Sequence, residues 1–326
     1  MTERPGVYHV LSRTTQQRRL LDAAGKEVFR KLLHKQAAFA GVEVLAYCLM
    51  GNHFHLLLRV PVKHRLSDGE LLRRYTAYYG EDALPQSTFS VAELRAVLEA
   101  GGEEAEAARE QIHARLHDLP AFMRELKQRF TLWYNHTHDC HGTVWAARYK
   151  SLLVEDDRAS LTVVAAYIDL NPVRANLVAD PADYRWCGYA EALAGRRGAR
   201  DGICGLFGEA PRDFAHALSA YRLVLFGKGH AAKKDTAQPH GRISAEALEK
   251  VVAAGGKVPP ETLLRRRIRY FTDGLILGSE GFLRDIHRNH PRAFGRRRVR
   301  TGGVAVPGLA PGGLRVMRDL RKRVFG

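Results

Sequence analysis

The sequence has few cysteines and no long apolar run. Its 4 cysteines, among 326 residues, lie far apart and lack the C-x-x-C spacing of zinc ribbons and redox motifs, which indicates ordinary thiols in a reducing compartment. The sequence contains no run of about 18 apolar residues, the length that a membrane-spanning helix needs. Its first residues lack the apolar core of a signal peptide. We therefore expect a cytoplasmic protein with no membrane partner.

Acidic residues are scarce relative to basic ones. The chain has 51 Lys and Arg against 35 Asp and Glu, a net charge of +16, which favours a polyanionic partner. The excess is uneven, because residues 228–326 contain 22 basic against 8 acidic residues, a net of +14. Clusters such as LRRRIRY (264–270) and RRRVR (296–300) favour nucleic acid over the alternative, a solvated basic surface.

Apolar periodicity predicts the element order β-α-β-β-α-β-α. Strands are expected at 7–13, 42–50 and 53–60 and extended chain at 142–155; helices are expected at 18–39, 67–80, 91–117, 120–136 and 158–170. This order predicts an α+β fold of the ferredoxin-like class, an antiparallel sheet with helices on one face. A basic, mainly helical C-terminal extension should follow, in which TDGLILGSEGF (272–282) forms a turn.

Two histidines stand one residue apart in LMGNHFHLLLRV (49–60), after the turn signal Gly51-Asn52. Side chains at i and i+2 of a strand point to the same face, so His53 and His55 should be neighbours. Imidazole is the commonest metal-binding side chain in proteins. The spacing alone is equally consistent with two histidines that are satisfied within the core.

A second candidate group lies in AAYIDLNPVRANLV (165–178), where Tyr167 and Asn171 share one helical face at i and i+4. Asn171 offers an oxygen ligand, and the Tyr167 hydroxyl is a competent nucleophile. Alone, Tyr167 would be a half-buried aromatic and Asn171 a helix end before Pro172. In a basic chain with a paired-histidine strand, the combination predicts phosphoryl transfer on nucleic acid.

The segments CLMGNHFHLLL (48–58) and YIDLNPVRANLV (167–178) resemble the REP-associated tyrosine transposases. These are relatives of the single-tyrosine insertion-sequence transposases, and both belong to the HUH (His-hydrophobic-His) endonucleases. The resemblance implies a transposase domain at 1–190 with a charged helical insertion at about 82–120. We expect a helical extension at 191–227, a linker at 228–242 and a basic DNA-binding region at 243–326.

The resemblance also implies a site. It places the metal ligands on His53 and His55, the third ligand on Asn171 and the nucleophile on Tyr167. The cofactor would be Mg²⁺, whereas mixed imidazole and amide ligands suit Mn²⁺. The partner would be single-stranded and hairpin DNA, cut through a 5′-phosphotyrosine intermediate, by a monomer or a homodimer. Expected DNA-binding residues are Arg148, Lys150, Arg174, Arg265, Arg266, Arg267, Arg296, Arg297 and Arg298.

Two other functions fit the same residues: a non-catalytic hairpin-DNA-binding protein or repressor, and a metal-dependent hydrolase that uses water as the nucleophile.

A separate segment, NHTHDCHG (135–142), gathers His136, His138, Cys140 and His141. It could form a zinc site, but no distant pair with finger-like spacing supports one. A polar loop is the favoured interpretation.

Overall fold

The computed structural model describes residues 5–80, 89–208, 210, 213–226, 270–290, 304–305 and 313–318. The helices are α1 (Ala23–Ala40), α2 (Asp68–Tyr79), α3 (Val91–Ala100), α4 (Gly102–His113), α5 (Leu119–Thr137), α6 (Arg158–Asp169), α7 (Asn171–Arg174), α8 (Gly188–Leu193), α9 (Arg197–Gly205), α10 (Phe214–Phe226), α11 (Tyr270–Asp273) and α12 (Glu280–Asn289). The strands are β1 (Gly6–Arg13), β2 (Glu43–Leu49), β3 (His53–Val60), β4 (Lys150–Val154), β5 (Gly274–Gly278), β6 (Val304–Ala305) and β7 (Arg315–Arg318).

Local signals explain where most of these elements begin and end. Asp22 caps α1 by accepting a hydrogen bond from the Gly25 amide at 2.7 Å, and α1 stops at Gly41, which has a φ of +67°. The prediction of one helix over 91–117 is wrong. Gly101 and Gly102 have φ values of +71° and +77°, a conformation that ends α3 and separates it from α4.

The strands form one sheet in the order β2-β3-β1-β4-β5-β7-β6. The expected turn at Gly51-Asn52 joins β2 to β3, and the Met50 amide donates to the His53 carbonyl at 2.8 Å. Strand β1 pairs antiparallel with β4, from Val7 opposite Val154 to Leu11 opposite Lys150. The first four strands thus follow the ferredoxin-like order, and the α+β class is confirmed.

The C-terminal extension adds strands that the sequence analysis missed. Strand β5 lies parallel to β4, and β7 pairs antiparallel with both β5 and β6. The turn predicted at 272–282 is therefore wrong, because Gly274–Gly278 is β5, with Ile276 and Leu277 buried. The expected linker at 228–242 lies outside the described residues.

The chain divides into two compact units. The first contains the described residues of 1–6, 14–43 and 59–146, with a core of aromatic and aliphatic side chains from α1 to α4 that includes Phe39, Tyr75 and Leu94. The second contains residues 7–13, 44–58 and the described residues from 147 onward. None of the described helices combines the length and the apolar character that crossing a membrane requires.

Candidate active site

Strand β3 presents the two predicted histidines on the face that packs against α6. His53, His55 and Leu57 alternate along β3, so their side chains share one face. Leu57 lies in the same buried cluster as Val164 and Ile168 of α6. His55 is buried and His53 is half-buried, so the pair lies at the edge of this core.

Helix α6 carries Tyr167. Asp157 caps the helix by accepting hydrogen bonds from the Ala159 and Ser160 amides at 2.8 and 3.1 Å. Every residue from Ser160 to Asp169 is buried. The helix ends at Asp169. The Asn171–Pro172 pair does not only end a helix, since it opens the short helix α7, in whose first turn proline is tolerated.

The structure places Tyr167 beside the histidines. The ring centroids of His53 and His55 are 5.2 Å apart, and those of His55 and Tyr167 are 6.0 Å apart. Asn171, also buried, lies one helical turn further along the chain from Tyr167. Its part as a third ligand stays a prediction.

His9, on β1, is the site residue that the sequence analysis missed. Its Nε2 lies 2.9 Å from Nδ1 of His55, and its ring centroid is 6.2 Å from that of Tyr167. Alternation in VYHVLSR gave the only signal, because His9 shares its face of β1 with the core residue Val7. His9 comes close to His55 because β1 lies beside β3 in the sheet.

The hydrogen bond of His53 to Asn52 fixes the tautomer of this imidazole. Nδ1 of His53 lies 2.7 Å from Oδ1 of Asn52, and because an amide oxygen only accepts, His53 must donate from Nδ1. Its lone pair is then on Nε2. Metal-binding histidines commonly hold their other nitrogen on a protein group in this way. Among the described residues, no three His, Cys, Asp or Glu side chains form a metal-binding group.

Burial keeps the inner histidines neutral. It is the largest cause that lowers the pKa of His9, to about 4. Burial also lowers the pKa of His55 well below its usual value, and the positive charges that His9 and His53 would carry lower it further. Neutral imidazole is the form that binds metal ions.

Two further residues contact Tyr167. The Arg174 guanidinium lies over its ring, with Cζ 3.9 Å from the centroid, and donates to the Tyr167 carbonyl at 2.5 Å. Phe271 of α11 packs on the same ring, with 4.8 Å between centroids. Tyr167 is consequently only 2% exposed.

The other expected DNA-binding residues are exposed or fall outside the described residues. Arg148 and Lys150 are exposed at the start of β4. The arginines of the two basic clusters, Arg265, Arg266, Arg267, Arg296, Arg297 and Arg298, fall outside the described residues. In the segment NHTHDCHG (135–142), whose first three residues belong to α5, Cys140 hydrogen-bonds Asn135 and the His138 ring stacks on Tyr134.

Residues 5–80 match the model of the IS200-like transposase family. The resemblance inferred from the sequence is thereby confirmed for this segment, the IS200-like segment, which contains His9, His53 and His55. A solved structure, of the REP-associated tyrosine transposase bound to a REP hairpin, is similar over 60% of this chain and 86% of its own, at 14% identity and a TM-score of 0.36. No curated protein matches the chain significantly in sequence.

Proposed function

We propose that the protein is a metal-dependent endonuclease and strand transferase that acts on single-stranded DNA at hairpin sequences, in DNA transposition. One observation carries this proposal: Tyr167, which lies outside the IS200-like segment, stands 6.0 Å from His55, which lies inside it, between ring centroids. A protein that only binds DNA does not require a buried tyrosine beside two histidines. This is the arrangement that metal-assisted nucleophilic attack requires.

The candidate cofactor is Mg²⁺ or Mn²⁺, which when bound would offset charge on a phosphate oxygen. His53 and His55 would hold it, and Asn171 would complete the set. In the reaction, the Tyr167 oxygen attacks the scissile phosphorus as the bond to the 3′ oxygen breaks. The Tyr167 hydroxyl gives up its proton as its oxygen bonds to phosphorus, the departing strand takes up a proton to leave as a free 3′-hydroxyl, and the 5′-phosphate stays on Tyr167. Attack by another 3′-hydroxyl reverses the step and rejoins the DNA.

Basic residues outside this site would hold the DNA. Arg148 and Lys150 are exposed and suited to phosphate contacts, which position DNA without reading its sequence. The arginines at 265–267 and 296–298 would add a salt-dependent contribution to affinity. The proposal therefore expects binding to weaken steeply as salt is raised.

A labelled single-stranded hairpin oligonucleotide tests the proposal. With Mg²⁺ or Mn²⁺ the wild-type protein should give a covalent protein-DNA band, which chelation by EDTA should abolish. Tyr167→Phe should lose the band, while Tyr8→Phe, on the opposite face of β1 from His9, should keep it. Cleavage without a covalent band, retained in Tyr167→Phe, would instead show water as the nucleophile.

One observation favours the second candidate, a hairpin-binding protein that does not cut. Tyr167 is 2% exposed and Phe271 packs against its ring, so in this conformation the tyrosine is not open to a phosphate. Tight hairpin binding with no covalent band under any metal condition would establish this second function.

A further inference from the structure

His9 and His55 form a hydrogen-bonded pair inside the protein. The two rings are 46 positions apart in sequence and 2.9 Å apart between Nε2 of His9 and Nδ1 of His55. Their ring planes are 21° apart and their centroids 5.1 Å apart, so the two rings meet edge to edge. Their exposed fractions are 2% and 3%, so water does not substitute for this contact.

The protons of this pair can be counted. A neutral imidazole carries one N–H and one lone pair, so the hydrogen bond between two neutral rings needs one ring as donor and the other as acceptor. If His9 donates to His55, the His55 proton must lie on Nε2, and that atom cannot bind a metal. If His55 donates from Nδ1 instead, its Nε2 carries the lone pair and the proton of His9 lies on Nδ1.

The proposed role of His55 as a metal ligand selects the second arrangement. Nδ1 of His55 faces Nε2 of His9 at 2.9 Å, so Nε2 is the His55 nitrogen that a cation can approach. A neutral imidazole binds a metal through its unprotonated nitrogen, which requires the His55 proton to be on Nδ1. His53 already has the matching tautomer, with its Nδ1 proton on Asn52.

We propose that His9 is a positioning residue: its Nε2 accepts the Nδ1 proton of His55 and holds His55 in the tautomer whose Nε2 can coordinate a divalent cation. The inference rests on the proposed function, because it takes His55 as a ligand.

The affinity of the full-length protein for Mn²⁺, measured by calorimetry, gives the first test. His9→Leu removes the acceptor and should weaken Mn²⁺ binding about 10–100-fold, the usual cost of losing such a partner. His9→Gln, whose amide oxygen can accept the same proton, should lose less. His117→Asn, a change at a buried histidine of the first unit, should leave the affinity unchanged. Unchanged affinity in a folded His9→Leu protein would overturn the proposal.

The ¹⁵N chemical shifts of the His55 imidazole in the metal-free wild-type protein give a second, independent test. We expect a protonated Nδ1 and an unprotonated Nε2, with the signals assigned by their loss in His55→Gln. A proton on Nε2 would overturn the proposal even if His9→Leu failed to fold. If the wild-type protein bound no Mn²⁺, the proposed function would fail, and these shifts would still decide the role of His9.

Discussion

Arg174 of α7 lies face-on to the ring of Tyr167 of α6, with its Cζ 3.9 Å from the ring centroid. Its Nη2 also donates to the Tyr167 carbonyl at 2.5 Å, so one side chain joins both helices across the break between them. A cation over an aromatic face contributes about 0.5–2 kcal/mol, most where water is excluded. Arg174, expected from the sequence to contact DNA, is in a position to fix the ring of the proposed nucleophile.

This geometry predicts a separation between rate and affinity. Arg174→Gln should slow formation of the covalent protein-DNA link at least about tenfold, because about 1.4 kcal/mol of lost positioning has that effect on a rate. Its hairpin affinity should stay unchanged. Arg148→Gln, at an exposed site, should weaken binding and leave the rate at saturating DNA unchanged. Single-turnover gel assays and filter binding measure the two quantities, and a weaker Kd with an unchanged rate in Arg174→Gln would restore its role as a DNA contact.

The sequence predicted the elements whose signals are local. Alternation defined β1 and β3, and apolar periodicity defined α6. The contacts of His9 and Arg174 could not be predicted, because they depend on which strands are neighbours and on how α7 turns after Leu170. Strand β5 was missed because five residues form it by pairing with β4, far away in sequence. The break between α3 and α4 has a local signal as well, the pair Gly101-Gly102, whose positive φ values end a helix.

A pair of glycines in α9 predicts opposite effects of the same substitution. A Cβ at Gly202 would lie 2.6 Å from the Val44 carbonyl oxygen and 2.9 Å from that of Leu45, both on β2. Gly202→Ala should therefore lower the free energy of unfolding by about 1–3 kcal/mol, the usual cost of overpacking. A Cβ at Gly198 would meet no atom within 4 Å, so Gly198→Ala should raise it by up to about 1 kcal/mol. Urea unfolding of both variants measures this, and equal effects would contradict the close approach of α9 to β2.

The cap of α6, the helix that carries Tyr167, should contribute measurably to the stability of the protein. Asp157→Ala removes the acceptor of two helix amides and should lower the free energy of unfolding by about 0.5–2 kcal/mol. Asp157→Asn, which keeps an acceptor oxygen, should retain most of the stability. Thermal unfolding followed by circular dichroism compares the three proteins. Equal losses in both variants would show that charge rather than the hydrogen bonds stabilises this helix start.

A buried histidine of the first unit predicts how stability depends on pH. Burial is the largest cause that lowers the pKa of His117, to about 4 from an ordinary 6.5, and His64 and Arg74 lower it further through their charges. Between these two values the unfolded chain binds more protons than the folded chain. The free energy of unfolding therefore falls as pH drops from about 6.5 to 4, and His117 has no such effect above 6.5.

His117→Asn should remove this contribution, and asparagine suits the position because it tolerates the φ of +50° found there. At pH 7.5 the difference in free energy of unfolding between the variant and the wild-type protein should contain no contribution from protonation of His117. On acidification to pH 4 the difference should shift in favour of the variant by about 1–3 kcal/mol, since each unit of pKa shift corresponds to about 1.4 kcal/mol. Urea unfolding at pH 7.5, 6, 5 and 4 follows the difference directly. Parallel curves would mean that the imidazole gains its proton in the folded protein as readily as in the unfolded chain, which burial at this position does not allow.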